Sequence, residues 1–446
     1  MRIVMGAQNC GFGPAAELVA VSRLLHDHER VFVGDGVAAA FARRNPDAFD
    51  DIRETDGVRE KSGSAAIDEL LHGSDQAVSV MDADLVLRAV VARRPVVMVD
   101  SLFGFWQLTL PPTRIRELCA TMPRTSYAAA DDHLAGLSPH ERIVAAHLLA
   151  THSVVQNFPG VARRAAEFIA LGGGPVVHLT GSIIDTEGLR STARGAEPVH
   201  DMLINVGGFK NFLLDFDVNN AYVRLLLRWI PDLLRDWPRF RSVLVCGGPF
   251  GGERQRTVTV AGRQAACRFL QQRELLQVAA SAPHYLLAPG LTALHESLAL
   301  DQLPMAIHEQ HAAHVYTMRE LDDTEFGRGA ARFGDVLPQH PVPGGRLRRD
   351  RGPGGNRRPG PGGRPALRAV PADVQRTYRA LHLAHTAPAP GGSRRVTEAA
   401  RRRAGPVGAG QDLRRQLGHP AVTRSTCKCP SSGYEGGADG RILSNS

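Results

Sequence analysis

Three stretches of the chain end in glycine where an apolar strand must turn. Met202-Leu203-Ile204-Asn205-Val206 runs into Gly207-Gly208, Ser242-Val243-Leu244-Val245-Cys246 into Gly247-Gly248, and His284-Tyr285-Leu286-Leu287-Ala288 into Pro289-Gly290. Glycine at such a turn lets the backbone approach a phosphate, and a following helix N-terminus offers N–H groups to it. One such turn carries little weight, because glycine turns also simply connect strands. Three in succession point to an anionic ligand, such as a diphosphate, lying across the carboxyl edge of a sheet. Lys210, the only lysine between residues 201 and 337, follows Gly207-Gly208-Phe209 and is placed to pair with a phosphate or a sugar carboxylate. Asp100 ends the strand Val96–Val99 and is expected to point into a cleft, where a carboxylate can take a proton. Asp-Ser is equally typical of a helix N-cap or turn. Phe105 and Trp106 just beyond could stack on a planar ligand or lie in the core. His308, His311 and His314 cluster in sequence, yet His311 and His314 sit three apart with no second acidic ligand nearby, so no metal is expected.

The elements that must position these groups alternate between strand and helix. Arg2-Ile3-Val4-Met5-Gly6 is a short apolar strand followed by a glycine-rich turn and the amphipathic run Ala15–His26. Val31-Phe32-Val33, Pro95–Asp100, His152–Gln156 and Pro175–Leu179 read as further strands, and Asp84–Val91 as a helix. Continuous rather than alternating apolar strands argue for parallel sheets covered on both faces. A polar break at 185–200 suits a linker, after which the alternation restarts. The expected organisation is an α/β fold with a first Rossmann-like domain over 1–184, a linker over 185–200 and a second such domain over 201–337. A tail, 338–446, follows.

At Ala288–His311 the sequence resembles the donor-nucleotide motif of GT-B glycosyltransferases, especially the family containing the peptidoglycan N-acetylglucosaminyl transferase. The resemblance implies two Rossmann-type domains facing across a cleft, with a nucleotide sugar on the second and the acceptor on the first. It implies that Gly290 caps a helix facing the diphosphate, with Thr292 beside it. Glu296 would accept from both ribose hydroxyls, and Glu309 with Gln310 would meet the sugar hydroxyls, since the two oxygens of a carboxylate suit a vicinal diol. The step from Glu296 to Pro304 is one residue longer than in that relative. In the first domain, Asn9-Cys10-Gly11-Phe12-Gly13-Pro14 occupies the place of the acceptor-side glycine loop, with Pro14 where a histidine is common. Gly11-Phe12-Gly13-Pro14-Ala15-Ala16-Glu17-Leu18 and Asp100-Ser101-Leu102 are similar to cytosylglucuronate synthases of cytosine nucleoside antibiotic pathways. That narrower resemblance implies UDP-glucuronate as donor and cytosine as acceptor, stacked on Trp106, with Lys210 as a cation near the glucuronate carboxylate. No cofactor beyond the UDP-sugar and no obligatory metal is implied. Other UDP-sugar enzymes of the fold, an epimerase, a hydrolase or a transferase to another acceptor, remain alternatives. A further rival is an NAD-dependent oxidoreductase: Gly11-x-Gly13-x-x-Ala16 fits the dinucleotide fingerprint, and Asp35 lies 24 residues after Gly11.

Composition bounds the partners. The 446 residues are 43% apolar and 22% charged, ordinary for a folded protein, and no stretch approaches the roughly 20 apolar residues of a membrane helix. The N-terminus meets Asn9, Gly11 and Gly13 before a signal-peptide core develops, and six scattered cysteines make no disulfide framework. A reduced, cytoplasmic protein is expected, without stable membrane insertion and with nothing to specify an oligomeric state. The net charge of +8 is uneven: 19 Arg and one Lys face six acidic residues in 338–446, a balance of +14, which leaves −6 on the rest. Nucleic acid therefore gains no support from the folded part. In the tail, Arg, Gly and Pro fill 50 of 109 positions without periodicity. Such a segment cannot bury enough apolar surface to order itself and reads either as a basic arm or as a shifted frame of a GC-rich gene. The whole chain has 50 Arg and three Lys, which favours a frame lost near 335–345. Resequencing those codons decides between the two.

Overall fold

A computed structural model describes residues 1–55, 58, 64–193, 195–208, 216–248 and 255–332, with backbone alone for 64 and 216–225. Lys210 and the tail 338–446 lie outside the described residues.

The first sheet holds seven parallel strands. They are β1 (Arg2–Ala7), β2 (Glu29–Gly34), β3 (Asp51–Glu54), β4 (Gln76–Val80), β5 (Val96–Asp100), β6 (His152–Gln156) and β7 (Val176–Thr180). Their order is β3-β2-β1-β4-β5-β6-β7. Both faces are covered by α1 (Gly13–Leu24), α2 (Gly36–Arg44), α3 (Ser64–His72), α4 (Ala83–Val91), α5 (Pro112–Thr121), α6 (Tyr127–His133), α7 (Pro139–Leu149) and α8 (Val161–Ala170). That coverage explains the unbroken apolar runs: Ile3, Val4, Met5, Val31, Phe32 and Val33 are all buried. Local chemistry sets the helix starts. The Asp82 side chain accepts from the Asp84 and Leu85 amides to open α4, and Ser138 with Glu141 forms a reciprocal capping box on α7, with Pro139 in its first turn.

Residues 185–200, read as a linker, carry a short helix, α9 (Thr186–Ser191), capped by Asp185, whose side chain accepts from Gly188 N at 2.9 Å. Asp185 is buried and pairs with the buried Arg23 of α1. Burial of a charged pair demands mutual satisfaction, so this segment is fastened to the first domain. On its other side α9 packs on the second domain, whose helices are α10 (Phe216–Asp236), α11 (Gln272–Ser281), α12 (Leu291–Ala299), α13 (Ala312–Glu320) and α14 (Glu325–Arg328). No described helix is long and apolar enough to cross a membrane.

The second sheet orders its strands β10-β11-β9-β8-β12-β13. Here β8 is Met202–Gly208, β9 Ser242–Gly248, β10 Arg256–Val260, β11 Arg263–Arg268, β12 His284–Leu287 and β13 Met305–Ala306. All pairs are parallel except the β10–β11 hairpin, which turns at Ala261 and Gly262 with φ of 49° and 75°. β3, β4, β13 and this hairpin go beyond the strands read from sequence. One hydrophobic core runs through the first domain into the facing side of the second, and a smaller one, with Trp229, Ile230 and Phe240, backs the second sheet. The layout is two Rossmann-type domains facing one another, as expected of a GT-B-like chain.

Candidate active site

In each sheet the chain starts centrally and winds outward both ways, reversing between β1 and β4 in the first and between β8 and β12 in the second. Ligands of open α/β sheets bind beyond the carboxyl ends at such reversals. Both reversals open on one cavity of about 1300 Å³, solvent-open space included. From the first domain it is lined by Cys10–Pro14 after β1, Glu17, Met81 after β4, and Ser101, Leu102, Phe105 and Trp106 after β5. The second contributes Asn205, Gly207 and Gly208, then Cys246 and Gly247, then Gly290–Ala293, Glu296 and Gln310.

Three helices begin at this cavity: α1 after Phe12, α12 after Gly290 and α13 after His311, and none has a side-chain cap. Helix N-termini carry unsatisfied N–H groups and a positive dipole end, a setting for a polyanion. Among the described residues the lining contains no Arg or Lys, and the amides at these helix starts are its positive groups. His314 adds a neutral donor. Burial, then the neighbouring His311, hold its pKa well below the ordinary histidine value. Its Nδ1 accepts from Gln310 N at 3.2 Å, which leaves Nε2 to carry the proton beside Gly290.

Further buried polar groups stand nearby. The Glu296 carboxylate accepts from Gln272 Nε2, and Gln272 N donates to Asn45 Oδ1 of the first domain at 2.9 Å. Burial first, then the charge of Asp185, raise Glu296 to about 8. Gln310 is buried on the cavity wall with neither Oε1 nor Nε2 hydrogen-bonded. A buried unpaired amide costs about 1–3 kcal/mol and calls for an explanation.

Sequence reasoning missed Glu17 as a site residue. It sits one turn into α1, 1% exposed, and its Oε1 accepts from Ser101 Oγ at 2.6 Å and from Thr292 Oγ1 of the second domain at 2.8 Å. Oε2 has no partner. Burial raises its pKa to about 8 against the lowering effect of the two hydroxyls, with a smaller upward push from Asp100. The available signal was an acidic residue in the first turns of a helix directly after the glycine loop.

Other expectations need correction. Asp100 does not open to the cleft: it is fully buried, its Oδ1 accepts from Leu102 N at 2.6 Å, and its Oδ2 accepts from Trp106 Nε1 at 2.5 Å and pairs with His147 Nε2 at 2.9 Å. The turn reading of Asp-Ser holds. Trp106 lines the cavity, but its indole is held by Asp100 and packed edge-on against Phe105 and His140. Gly248 is not on the wall; it makes room for the Phe269 ring. Glu309 is buried off the wall, while its neighbour Gln310 is on it, because successive residues of an extended segment face opposite ways.

The two glycine loops, expected on separate substrates, touch each other. A Cβ on Gly208 would fall on the backbone of Gly11 and Phe12, and Gly11 and Gly207 both take positive φ, 80° and 67°. Gly13 faces Thr292 across the same seam. The Phe12 ring stacks on Phe269 of the second domain, centroids 4.8 Å apart. Asp35, the acidic residue of the dinucleotide fingerprint, does not line the cavity. Beside it, Asn9 accepts from Val37 N at 2.7 Å and packs on Gly36.

No protein-family model matches the chain, and no curated protein matches it. Among solved structures it is similar to Os79 from O. sativa in complex with U2F and trichothecene, with a TM-score of 0.44 and 13% identity over 85% of this chain and 94% of that one. It is also similar to Phytolacca americana UGT2 complexed with UDP-2fluoro-glucose and pterostilbene, with a TM-score of 0.43 and 13% identity over 90% and 99%. For a UDP-glucosyltransferase from Polygonum tinctorium the TM-score is 0.38, with 14% identity over 94% and 99%. Likenesses this distant say nothing of what the chain does.

Proposed function

We propose that the chain is a glycosyltransferase using a UDP-sugar, and in the narrower form that it joins glucuronic acid from UDP-glucuronate to cytosine. The observation that carries this reading is the convergence of uncapped helix N-termini, Glu296 and the unpaired Gln310 amide on one cavity between two Rossmann-type domains. The diphosphate lies at the starts of α12 and α13, Glu296 takes the ribose diol and Gln310 the sugar hydroxyls. The reaction is direct displacement at the anomeric carbon, with the amides at Gly290 and Gly207-Gly208 stabilising the charge that develops on the departing diphosphate. Phe105 and Trp106 form an aromatic wall that suits a planar acceptor such as a free base. Lys210 is assigned to the glucuronate carboxylate.

The test is calorimetric titration with UDP, and separately with NAD, followed by incubation with UDP-glucuronate and cytosine and detection of cytosylglucuronate by mass. Binding of UDP that weakens on Glu296→Ala, with release of UDP on adding cytosine, is the expected result. NAD binding without UDP binding sinks the reading. UDP-glucuronate converted without cytosine would instead favour an epimerase or hydrolase.

A further inference from the structure

Glu17 is the one buried carboxylate of the cavity's first-domain side that is only half satisfied. Both hydroxyls that reach it, from Ser101 and Thr292, donate to the same oxygen, Oε1. When the group is protonated its proton therefore belongs on Oε2, the oxygen without a partner. A purely structural carboxylate in this protein is treated otherwise. Glu141 Oε1 accepts from Thr109 N, Thr109 Oγ1 and Leu110 N, and its Oε2 accepts from Ser138 N. Leaving Oε2 of Glu17 bare costs about 1–3 kcal/mol. The titratable groups facing Glu17 are Asp100 at the end of β5 and Glu296 on α12, both acidic, and no described cation lines the cavity to fix it as a permanent anion.

We propose that Glu17 is the catalytic base of the transfer, receiving on Oε2 the N–H or O–H proton of an uncharged acceptor lying against Phe105 and Trp106. The proposal rests on the glycosyltransferase reading. The bond formed joins the acceptor nitrogen or oxygen to the anomeric carbon. The bond broken is that carbon's link to the diphosphate, whose electron pair leaves with UDP, and the acceptor's proton passes to Glu17. Because Thr292 belongs to the second domain and Ser101 to the first, the base is held by both only when the domains are together. With a free-enzyme pKa of about 8, it is poised close to working pH, where a general base is most effective.

The test uses the full chain, with UDP as binding probe and UDP-glucuronate plus cytosine for turnover. Glu17→Gln is expected to leave UDP affinity within about threefold, to lower kcat by about 10²–10⁴-fold, and to abolish a rising limb of kcat/KM near pH 8. Ser101→Ala removes a hydrogen bond to the carboxylate and is expected to move that limb to higher pH while keeping turnover above it; this second readout decides the matter if the Gln variant folds poorly. Unchanged kcat in Glu17→Gln, or a limb unmoved in Ser101→Ala, overturns the role while leaving the glycosyltransferase reading intact. A wild type that binds no UDP overturns that reading and the role with it; one that binds UDP and adds nothing to cytosine overturns the narrower cytosine form and the role as tested on it.

Discussion

Two buried carboxylates, Asp100 and the Glu17 bonded to its neighbour Ser101, behave in opposite ways. Asp100 is saturated: a backbone amide, an indole N–H and His147 engage both its oxygens, and His147 is itself anchored on Ser153 Oγ at 2.7 Å. Glu17, reached through the adjacent Ser101, keeps one oxygen bare. Position at a strand's carboxyl end is therefore a poor guide to chemistry in this fold. What separates scaffold from reactive group is whether an oxygen is left without any partner, because such an oxygen can take a substrate proton without giving up a hydrogen bond.

The largest expected effect breaks the saturated member. Asp100→Ala orphans His147 and Trp106 and should destabilise the chain by about 3–5 kcal/mol, read as a fall in the denaturant midpoint. A variant of full stability but no turnover would return Asp100 to the cleft chemistry. Next comes the pH dependence of stability. Glu17 and Glu296 are both raised to about 8 from 4.5, so between those values the folded chain holds protons that the unfolded chain releases. Stability contributed by these groups is complete below about pH 4.5 and is lost as pH rises through 8, on the order of a few kcal/mol in all. Thermal melts from pH 5 to 9 check the slope, and Glu17→Gln should flatten it. Glu141 runs the other way. Burial alone would raise it, but hydrogen bonds from Thr109, Leu110 and Ser138 hold it at about 2, so its share is complete above about pH 4.5 and is lost as pH falls through 2.

Smaller effects sharpen the contrast at the seam between domains. Gly208→Ala pushes a methyl into the Gly11–Phe12 backbone and should cost about 100-fold in turnover by parting the domains, with the separation visible as a larger radius of gyration in solution scattering. An unaltered radius with full activity would mean the seam is not needed. Gln310→Ala is expected to have the smallest effect, and it has two signs. Removing an unpaired buried amide leaves the free protein as stable or more stable by about 1 kcal/mol, while donor affinity falls about tenfold. Calorimetry and melting on one sample measure both.

Much of the scaffold was legible because it depends on local patterns. Apolar runs such as Ile3–Met5 and Leu203–Val206 specify strands buried on both faces, and glycines at their ends mark the turns. Gly290, Thr292 and Glu296 were legible as neighbours of a ligand site because they fall on one helix, where sequence spacing fixes spatial spacing. The β10–β11 hairpin, with its alternating Thr257-Val258-Thr259-Val260 strand and Ala-Gly turn, was legible in principle but is masked by its charged flanks.

Three things only the tertiary structure decided. Asp100 faces His147, 47 residues away, rather than the cleft; Gly208 seats the Phe12 backbone; and Thr292 reaches Glu17 across 275 residues of chain. Sequence periodicity states which side of an element is apolar, and so it determined the two α/β domains and the edge at which ligands collect. It carries no term for how two domains rotate against each other. That rotation settles which of the many acidic residues ends up saturated and which is left with an oxygen to spare.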